Sequence, residues 1–123
     1  MKILFIDDEA GIREQAKIFL EREDDRFNID TASDLESALE KLENNGYDLV
    51  IADYLLPESD GLDVLQKIRH EGRDIPFILL TGRDSEDIFK KADSLGAEEC
   101  FTKSGDPLKQ YKMLSKTIID ILN

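Results

Sequence analysis

The chain has 123 residues, of which 41% are hydrophobic and 36% are charged, and its formal net charge is −12. This length and apolar content predict one domain with one core over residues 1–123 and argue against a disordered chain. The negative charge disfavours direct binding to nucleic acid, because it repels the phosphate backbone. The single cysteine, Cys100, excludes an internal disulfide, and no apolar run is long enough for a membrane span, so we expect a cytoplasmic protein.

Five short apolar runs alternate with five amphipathic segments along the chain. Strands are expected at about residues 2–6, 27–31, 49–52, 77–80 and 99–102. Apolar residues at helical spacing predict a helix after each strand. This alternation is typical of an α/β fold, here a single-domain (βα)5 arrangement with a doubly wound, flavodoxin-like sheet of five parallel strands. Because the second strand is the least apolar, and the first and third are the most apolar, we expect the strand order 2-1-3-4-5.

Local signals predict where two of the helices begin. Ser33 and Glu36 have the spacing of a capping box for the second helix. Asp106 followed by Pro107 predicts an N-cap and the first helical position of the fifth helix. The apolar spacing of that fifth helix also predicts that Leu108 faces the core.

Carboxylates follow the two most apolar strands. Asp7 and Asp8 come after the first strand, and Asp53 comes at the end of the third. Ligands of open α/β sheets bind at the carboxyl ends of the strands, so these side chains are placed where ligands bind. Three carboxylates at one sheet edge repel one another unless a cation lies among them. Ligands that are all oxygen favour a hard cation, Mg²⁺ or Mn²⁺.

The fourth and fifth strands end on a hydroxyl and an ammonium group. Thr81 and Gly82 end the fourth strand, and Lys103 follows the fifth. A hydroxyl and an ammonium group opposite the carboxylates would form a cradle for a phosphoryl group. Asp53 could then act as a nucleophile, as carboxylates do when they form aspartyl phosphates.

With these residues in place, the chain resembles a receiver domain of a two-component response regulator, the CheY-like family. The resemblance covers the whole chain, and its motifs lie at residues 6–9, 48–57, 60–61, 80–82 and 101–103. It implies that Asp53 accepts a phosphoryl group from the phosphohistidine of a histidine kinase or a phosphotransfer protein. It also implies that Asp8, Asp53 and the backbone carbonyl of Leu55 bind Mg²⁺ directly, and that Asp7 acts through water.

The resemblance assigns the remaining site residues to the phosphoryl group and its switch. Lys103 is expected to pair with the phosphoryl oxygens. Thr81, followed by the small residue Gly82, is expected to hydrogen-bond the phosphoryl group and so to shift the loop after the fourth strand. The surface of the fourth helix, fifth strand and fifth helix would then switch toward a downstream effector that the sequence does not identify. A phosphorylation-dependent homodimer is one arrangement that the resemblance allows, and the chain would catalyse only its own phosphorylation and dephosphorylation.

Two residues depart from the family pattern. Cys100 lies three positions before Lys103, where many receivers carry an aromatic ring that turns inward on activation, and Phe101 is expected to face the core on the other side of the strand. Ser104 follows Lys103, where many receivers have a proline in a cis bond. We expect either a trans peptide with a re-routed loop, helped by Gly105, or a cis bond at a cost of about 2.5–4 kcal/mol.

Several other functions fit parts of the pattern. Asp7 and Asp8 could be helix N-caps only. A phosphatase of the haloacid dehalogenase class also uses an aspartyl nucleophile after a parallel strand, but it needs a second Asp where this chain has Leu55. An FMN-binding flavodoxin needs a phosphate loop after the first strand, where acidic residues would repel the phosphate. A receiver-like interaction module that no longer depends on phosphorylation is the remaining alternative.

Overall fold

The computed structural model describes residues 1–123, with five parallel strands and five helices. The strands are β1 (Lys2–Ile6), β2 (Asn28–Ala32), β3 (Leu49–Asp53), β4 (Phe77–Thr81) and β5 (Glu99–Thr102). The helices are α1 (Ala10–Glu23), α2 (Leu35–Asn44), α3 (Gly61–His70), α4 (Glu86–Ser94) and α5 (Pro107–Leu122). Between β3 and α3, Leu55–Leu56 and Ser59–Asp60 pair as a short antiparallel ladder, which we call the β3–α3 hairpin. None of the helices has both the length and the apolar character that crossing a bilayer requires.

The five parallel strands form one sheet in the order β2-β1-β3-β4-β5, which confirms the predicted α/β fold and strand order. The central strand β3 has all five residues buried, as expected for a strand covered on both faces. Its side chains alternate between two core layers. Ile51 joins residues of α1 and α5, including Tyr111, in one layer. Val50 joins residues of α2, α3 and α4, including Leu65, in the other.

Charged side chains from α1 and α2 satisfy the outer backbone groups of the edge strand β2. The Ile29 N–H donates to the Glu21 carboxylate at 3.0 Å, and the Ile29 carbonyl accepts from Lys17 Nζ at 2.9 Å. Lys41 Nζ donates to the Thr31 carbonyl at 2.7 Å. An edge strand with unpaired backbone groups can pair with a strand of another chain. These hydrogen bonds therefore protect the β2 edge of the sheet from such pairing.

Two local expectations were wrong. The capping box of α2 is formed by Asp34 and Ser37, not by Ser33 and Glu36, because the helix begins one residue later than the sequence signal indicated. Leu108 does not face the core, and 55% of it is exposed. The residues at positions 106–109 are all exposed, so the first turn of α5 has no core to pack against. The predicted cap of α5 is confirmed, with Asp106 accepting from the Lys109 N–H and Pro107 at the first helical position.

Gly61, the first residue of α3, lies directly against the backbone of Asp53. A Cβ atom at this position would lie 2.5 Å from the Asp53 carbonyl oxygen and 2.6 Å from Leu79 Cδ1. The Gly61 N–H also donates to the Tyr54 carbonyl at 2.8 Å. Only glycine permits this approach, so Gly61 sets how closely α3 packs against the end of β3.

Gly61→Ala is expected to lower the free energy of unfolding by about 1–3 kcal/mol, since the new methyl group meets backbone atoms that cannot rotate away. Urea denaturation measures the change. Gly11→Ala is the control, because Gly11 also lies in a helix but an added Cβ there meets nothing within 4 Å. The control should be neutral or slightly stabilising. Equal stability of Gly61→Ala and the wild-type protein would contradict the close packing.

Candidate functional site

Three carboxylates meet at the carboxyl edge of the sheet. Asp7 follows β1 and is 2% exposed, Asp8 is exposed, and Asp53 ends β3 and is 8% exposed. One oxygen from each of the three lies within 4.8 Å of the others. The structure therefore brings together all three acids that the sequence analysis selected.

The backbone and side chain of Asp7 are held by neighbouring segments. Its N–H donates to the Ala32 carbonyl at 3.1 Å, and its Oδ1 accepts from the Glu9 N–H at 2.9 Å. Its Oδ2 is buried and accepts no hydrogen bond. The N-cap of α1 is Glu9, without a side-chain cap bond, so neither Asp7 nor Asp8 serves as the N-cap of that helix.

Lys103 provides the positive charge that faces these acids. Its Nζ lies 3.1 Å from Asp53 Oδ2 and 3.6 Å from Asp7 Oδ2. The Lys103 N–H donates to the Thr81 carbonyl at 2.7 Å, which continues the β4–β5 pairing past the end of β5. The next residue is fixed as well, because the Ser104 N–H donates to Oε1 of the buried Gln110 at 2.9 Å.

The charges in the site shift the pKa values of two groups. Burial raises the pKa of Asp53; Lys103 lowers it, and Asp7 and Asp8 raise it further, so the net effect is an increase. For Lys103, burial lowers the pKa, but the charges of Asp53 and Asp7 outweigh burial and raise it. Lys103 therefore remains an ammonium group, and the charge on Asp53 is disfavoured by its surroundings.

Thr81, Gly82 and Leu55, the other residues selected from the sequence, lie at or just after the ends of β4 and β3 and differ in their burial and hydrogen bonding. Thr81 is fully buried, and its Oγ1 accepts from the Arg83 N–H at 3.1 Å. Gly82 is exposed, and an added Cβ there would meet nothing within 4 Å. Leu55 begins the β3–α3 hairpin two residues after Asp53, and 61% of it is exposed. No hydrogen bond joins Thr81 to any of the three acids.

The two positions that depart from the family pattern also have defined surroundings. Cys100 is half-buried against the core layer of α2, α3 and α4, and Phe101 packs on the other layer, as predicted. Burial, with a contribution from Glu99, raises the pKa of the Cys100 thiol to about 11, so the thiol is protonated at neutral pH. The Lys103–Ser104 peptide is trans, so the strained cis bond, one of the two expected outcomes, does not occur.

The three carboxylates repel one another, and their arrangement is suited to binding a divalent cation. A buried carboxylate oxygen that accepts no hydrogen bond costs free energy, and Asp7 Oδ2 is such an atom, with only the Lys103 ammonium group 3.6 Å away. One ammonium group faces three carboxylates, so a further cation would relieve the remaining repulsion. Oxygen donors of this kind are the ligands that Mg²⁺ takes, usually with one or two carboxylates and several waters.

The sequence did not predict the structural roles of two residues that shape the site. Gly61 belongs to a motif of the family resemblance together with Asp60, and the structure shows that it permits the contact with the Asp53 backbone. Gln110 was not distinguished from other polar residues of the fifth helix, although it fixes the segment after Lys103. A polar residue within the apolar face of α5 is the one signal that could have indicated Gln110.

Comparisons with known proteins agree on one family. The family model for the response regulator receiver domain matches residues 3–115. The alkaline phosphatase synthesis transcriptional regulatory protein PhoP of Bacillus subtilis is 37% identical over 106 residues, which are 86% of this chain and 43% of PhoP. The chain thus spans less than half the length of this relative.

Two solved structures are similar over nearly their full length. A response regulator receiver domain protein from Clostridium thermocellum is 33% identical, with a TM-score of 0.86, and the match covers 99% of this chain and 94% of that one. The response regulator TrrA from Thermotoga maritima, in complex with Mg²⁺-BeF, is 35% identical, with a TM-score of 0.78 over 94% of this chain and 96% of that one.

Replacing Asp53 by Asn is expected to raise the melting temperature of the metal-free protein by a few degrees, because it removes one charge from a cluster of like charges. Mg²⁺ should raise the melting temperature of the wild-type protein, and should have a smaller effect on Asp53→Asn. Thermal unfolding with and without Mg²⁺ measures both effects. Asp25→Asn, which removes an exposed acid without a partner, controls for the change in net charge. If Asp53→Asn and Mg²⁺ both leave unfolding unchanged, the three carboxylates do not act as one cluster.

Proposed function

The chain belongs to the response regulator receiver domain family, and we propose that it is a phosphorylation-controlled signalling domain in which Asp53 is the phosphoacceptor. The observation that carries this proposal is the position of Asp53, buried at the end of β3 with Lys103 Nζ 3.1 Å away and two further acids beside it. We propose that residues 1–123 act as one receiver domain, a conclusion supported by the two continuous core layers.

In the proposed reaction, the phosphoryl donor is the phosphohistidine of a histidine kinase or of a phosphotransfer protein. A carboxylate oxygen of Asp53 attacks the phosphorus atom, an oxygen–phosphorus bond forms, and the phosphorus–nitrogen bond breaks, with its electron pair returning to the imidazole. Lys103 contributes an ammonium group that stabilises the negative charge on the phosphoryl oxygens. The aspartyl phosphate is lost by the same chemistry with water as the nucleophile, and we propose no other catalytic activity.

Asp8, Asp53 and the backbone carbonyl of Leu55 would hold a divalent cation directly, and Asp7 would act through water. Mg²⁺ bound there, or Mn²⁺, would supply positive charge to the phosphoryl oxygens. The negative charges of these acids would hold the cation beside the reacting carboxylate. The absence of a hydrogen bond to the buried Asp7 Oδ2 and the mutual approach of the three acids support this assignment.

We propose that Thr81 carries the signal away from the phosphoryl group. Its Oγ1 accepts from the Arg83 N–H in the loop after β4, and its hydroxyl proton is free to be donated to a phosphoryl oxygen. Rotation of the hydroxyl toward Asp53 would remove the acceptor of the Arg83 N–H and shift this loop. The exposed Gly82 leaves room beside the phosphoryl group. The surface of α4, β5 and α5 would then change its affinity for a downstream effector or for a second copy of the domain.

The net charge of the chain and its similarity to PhoP bear on the partners that we propose. The net charge of −12 disfavours direct contact with nucleic acid by this domain. PhoP is a transcriptional regulatory protein, and more than half of its length lies outside the match, so the match does not identify an output for this chain. We propose a cytoplasmic histidine kinase pathway as the setting and leave the effector open.

Incubation with acetyl phosphate and Mg²⁺ is expected to add one phosphoryl group to the wild-type protein, as measured by intact mass. Asp53→Asn and the sample without Mg²⁺ should gain none, because the first lacks the nucleophile and the second lacks the charge that stabilises the phosphoryl oxygens. Asp25→Asn should gain one group like the wild-type protein. Phosphorylation of Asp53→Asn to the wild-type extent would contradict the assignment of Asp53.

A phosphorylated histidine kinase provides the second arm of this experiment. If acetyl phosphate adds no group but the kinase does, the domain requires its cognate donor and the function stands. If neither donor phosphorylates protein that is folded and binds Mg²⁺, the chain is an interaction module that works without phosphorylation.

Arg83→Ala is expected to increase the rate at which the phosphoryl group is lost by several-fold, since we propose that Arg83, two residues after Thr81, and Leu55, two residues after Asp53, shield the aspartyl phosphate from water. The decay of the phosphorylated mass after removal of the donor measures this rate. Arg26→Ala, an exposed arginine in the turn before β2, is the control and should leave the rate unchanged. An unchanged rate in Arg83→Ala would show that Arg83 does not shield the aspartyl phosphate.

A further inference from the structure

Arg13 makes a contact with the site that the proposed reaction does not use. It lies near the start of α1, is half-buried, and its Nη1 donates to the backbone carbonyl of Asp7 at 2.9 Å. Arg13 forms no ion pair with any acid of the protein. Its charged donor is therefore directed at the turn between β1 and α1, and a charged donor makes a stronger bond to a carbonyl than a neutral one does.

With this bond, every polar atom of Asp7 except Oδ2 has a hydrogen-bond partner. The Asp7 N–H is held by Ala32, its carbonyl by Arg13, and its Oδ1 by the Glu9 N–H. The remaining atom, Oδ2, has no hydrogen bond and lies 3.6 Å from Lys103 Nζ. Fixing the other polar atoms determines where Oδ2 points, because a carboxylate with one oxygen held cannot rotate freely.

We propose that Arg13 is a positioning residue of the site, which fixes the turn at Asp7 so that Asp7 Oδ2 and the following Asp8 face Asp53. The inference rests on the proposed function, in which these acids hold a divalent cation. Residues that orient the ligands of a metal ion in this way typically affect metal affinity without touching the ion.

Two simpler roles for Arg13 make different predictions. If Arg13 acted only through its charge, it would repel the cation, and its removal would strengthen Mg²⁺ binding. If Arg13 served only the stability of α1, its removal would lower the melting temperature and leave Mg²⁺ affinity unchanged. Only a positioning role predicts that removing a positive charge weakens the binding of a cation.

The test compares the Mg²⁺ affinities of Arg13→Ala, Arg13→Lys and Lys17→Ala by isothermal titration calorimetry. Lys17 is a matched control, because it lies one turn further along α1 and its side chain also donates to a backbone carbonyl at 2.9 Å, that of Ile29, away from the site. We expect Arg13→Ala to weaken Mg²⁺ binding by about 10-fold. Arg13→Lys keeps a charged donor and should recover part of this loss. Lys17→Ala should bind Mg²⁺ as the wild-type protein does, whatever its melting temperature.

A measurement without metal tests the same role independently. The Glu9 amide, which donates to Asp7 Oδ1, should exchange with deuterium faster in Arg13→Ala than in the wild-type protein. In Lys17→Ala the Glu9 amide should be unaffected. Unchanged Glu9 exchange, or unchanged or tighter Mg²⁺ binding in Arg13→Ala, would overturn the positioning role. If Arg13→Ala does not fold, Arg13→Lys decides the question, since a positioning role requires intermediate affinity and exchange.

The wild-type titration separates this inference from the proposed function. A wild-type protein that binds Mg²⁺, together with an Arg13→Ala variant of equal affinity, overturns the role of Arg13 alone. A folded wild-type protein that binds no Mg²⁺ overturns the metal site and the role of Arg13 with it.

Discussion

Repulsion among three carboxylates at one edge of a parallel sheet is the constraint on which the rest of this structure depends. Asp7, Asp8 and Asp53 have oxygens within 4.8 Å of one another, and Lys103 is the one cation that pairs with them. The sheet and its two core layers fix the backbone positions of these residues, and Asp7 and Asp53 are buried, so these two acids cannot move apart to relieve the repulsion. The free energy that the core gains by burial therefore maintains a site that is unfavourable until further positive charge arrives.

The surroundings of Thr81 suggest how a change of charge at this edge reaches the surface. In the structure, the Thr81 hydroxyl oxygen accepts a hydrogen bond from the Arg83 N–H, which lies in the loop after β4. Many receivers have an aromatic ring on β5 where this chain has Cys100, which is small and packs against the core. A movement of Thr81 in this chain would therefore not make or fill space for such a ring. The loop after β4, which the bond from the Arg83 N–H joins to Thr81, is therefore the route that we propose from the site to the surface.

Much of the fold followed from residues that are close in sequence. The alternation of apolar runs and amphipathic segments predicted the five strands and their order, and acids placed directly after buried strands predicted which side chains meet. The errors have two causes. The capping box at Asp34 differs by one residue from the predicted one because serine and aspartate compete for the same role, and Leu108 lies in a helical turn that extends past the core.

Other features depend on segments that meet only after folding. The space beside Gly61 is closed by Asp53 and Leu79, which come from two different strands. The bond from Arg13 to Asp7 depends on the path of the turn between them, and nothing in the local sequence distinguishes Arg13 from the other charged residues of α1.

The bonds along β2 also have a consequence for the behaviour of the folded protein at high concentration. Lys17, Glu21 and Lys41 already bond the outer backbone groups of this strand, so another chain could pair there only by displacing charged side chains. No side chain makes such a bond to the backbone of β5. Growth of the sheet into ordered aggregates is therefore blocked at β2, and β5 is the edge at which mutations that add apolar surface would first promote it.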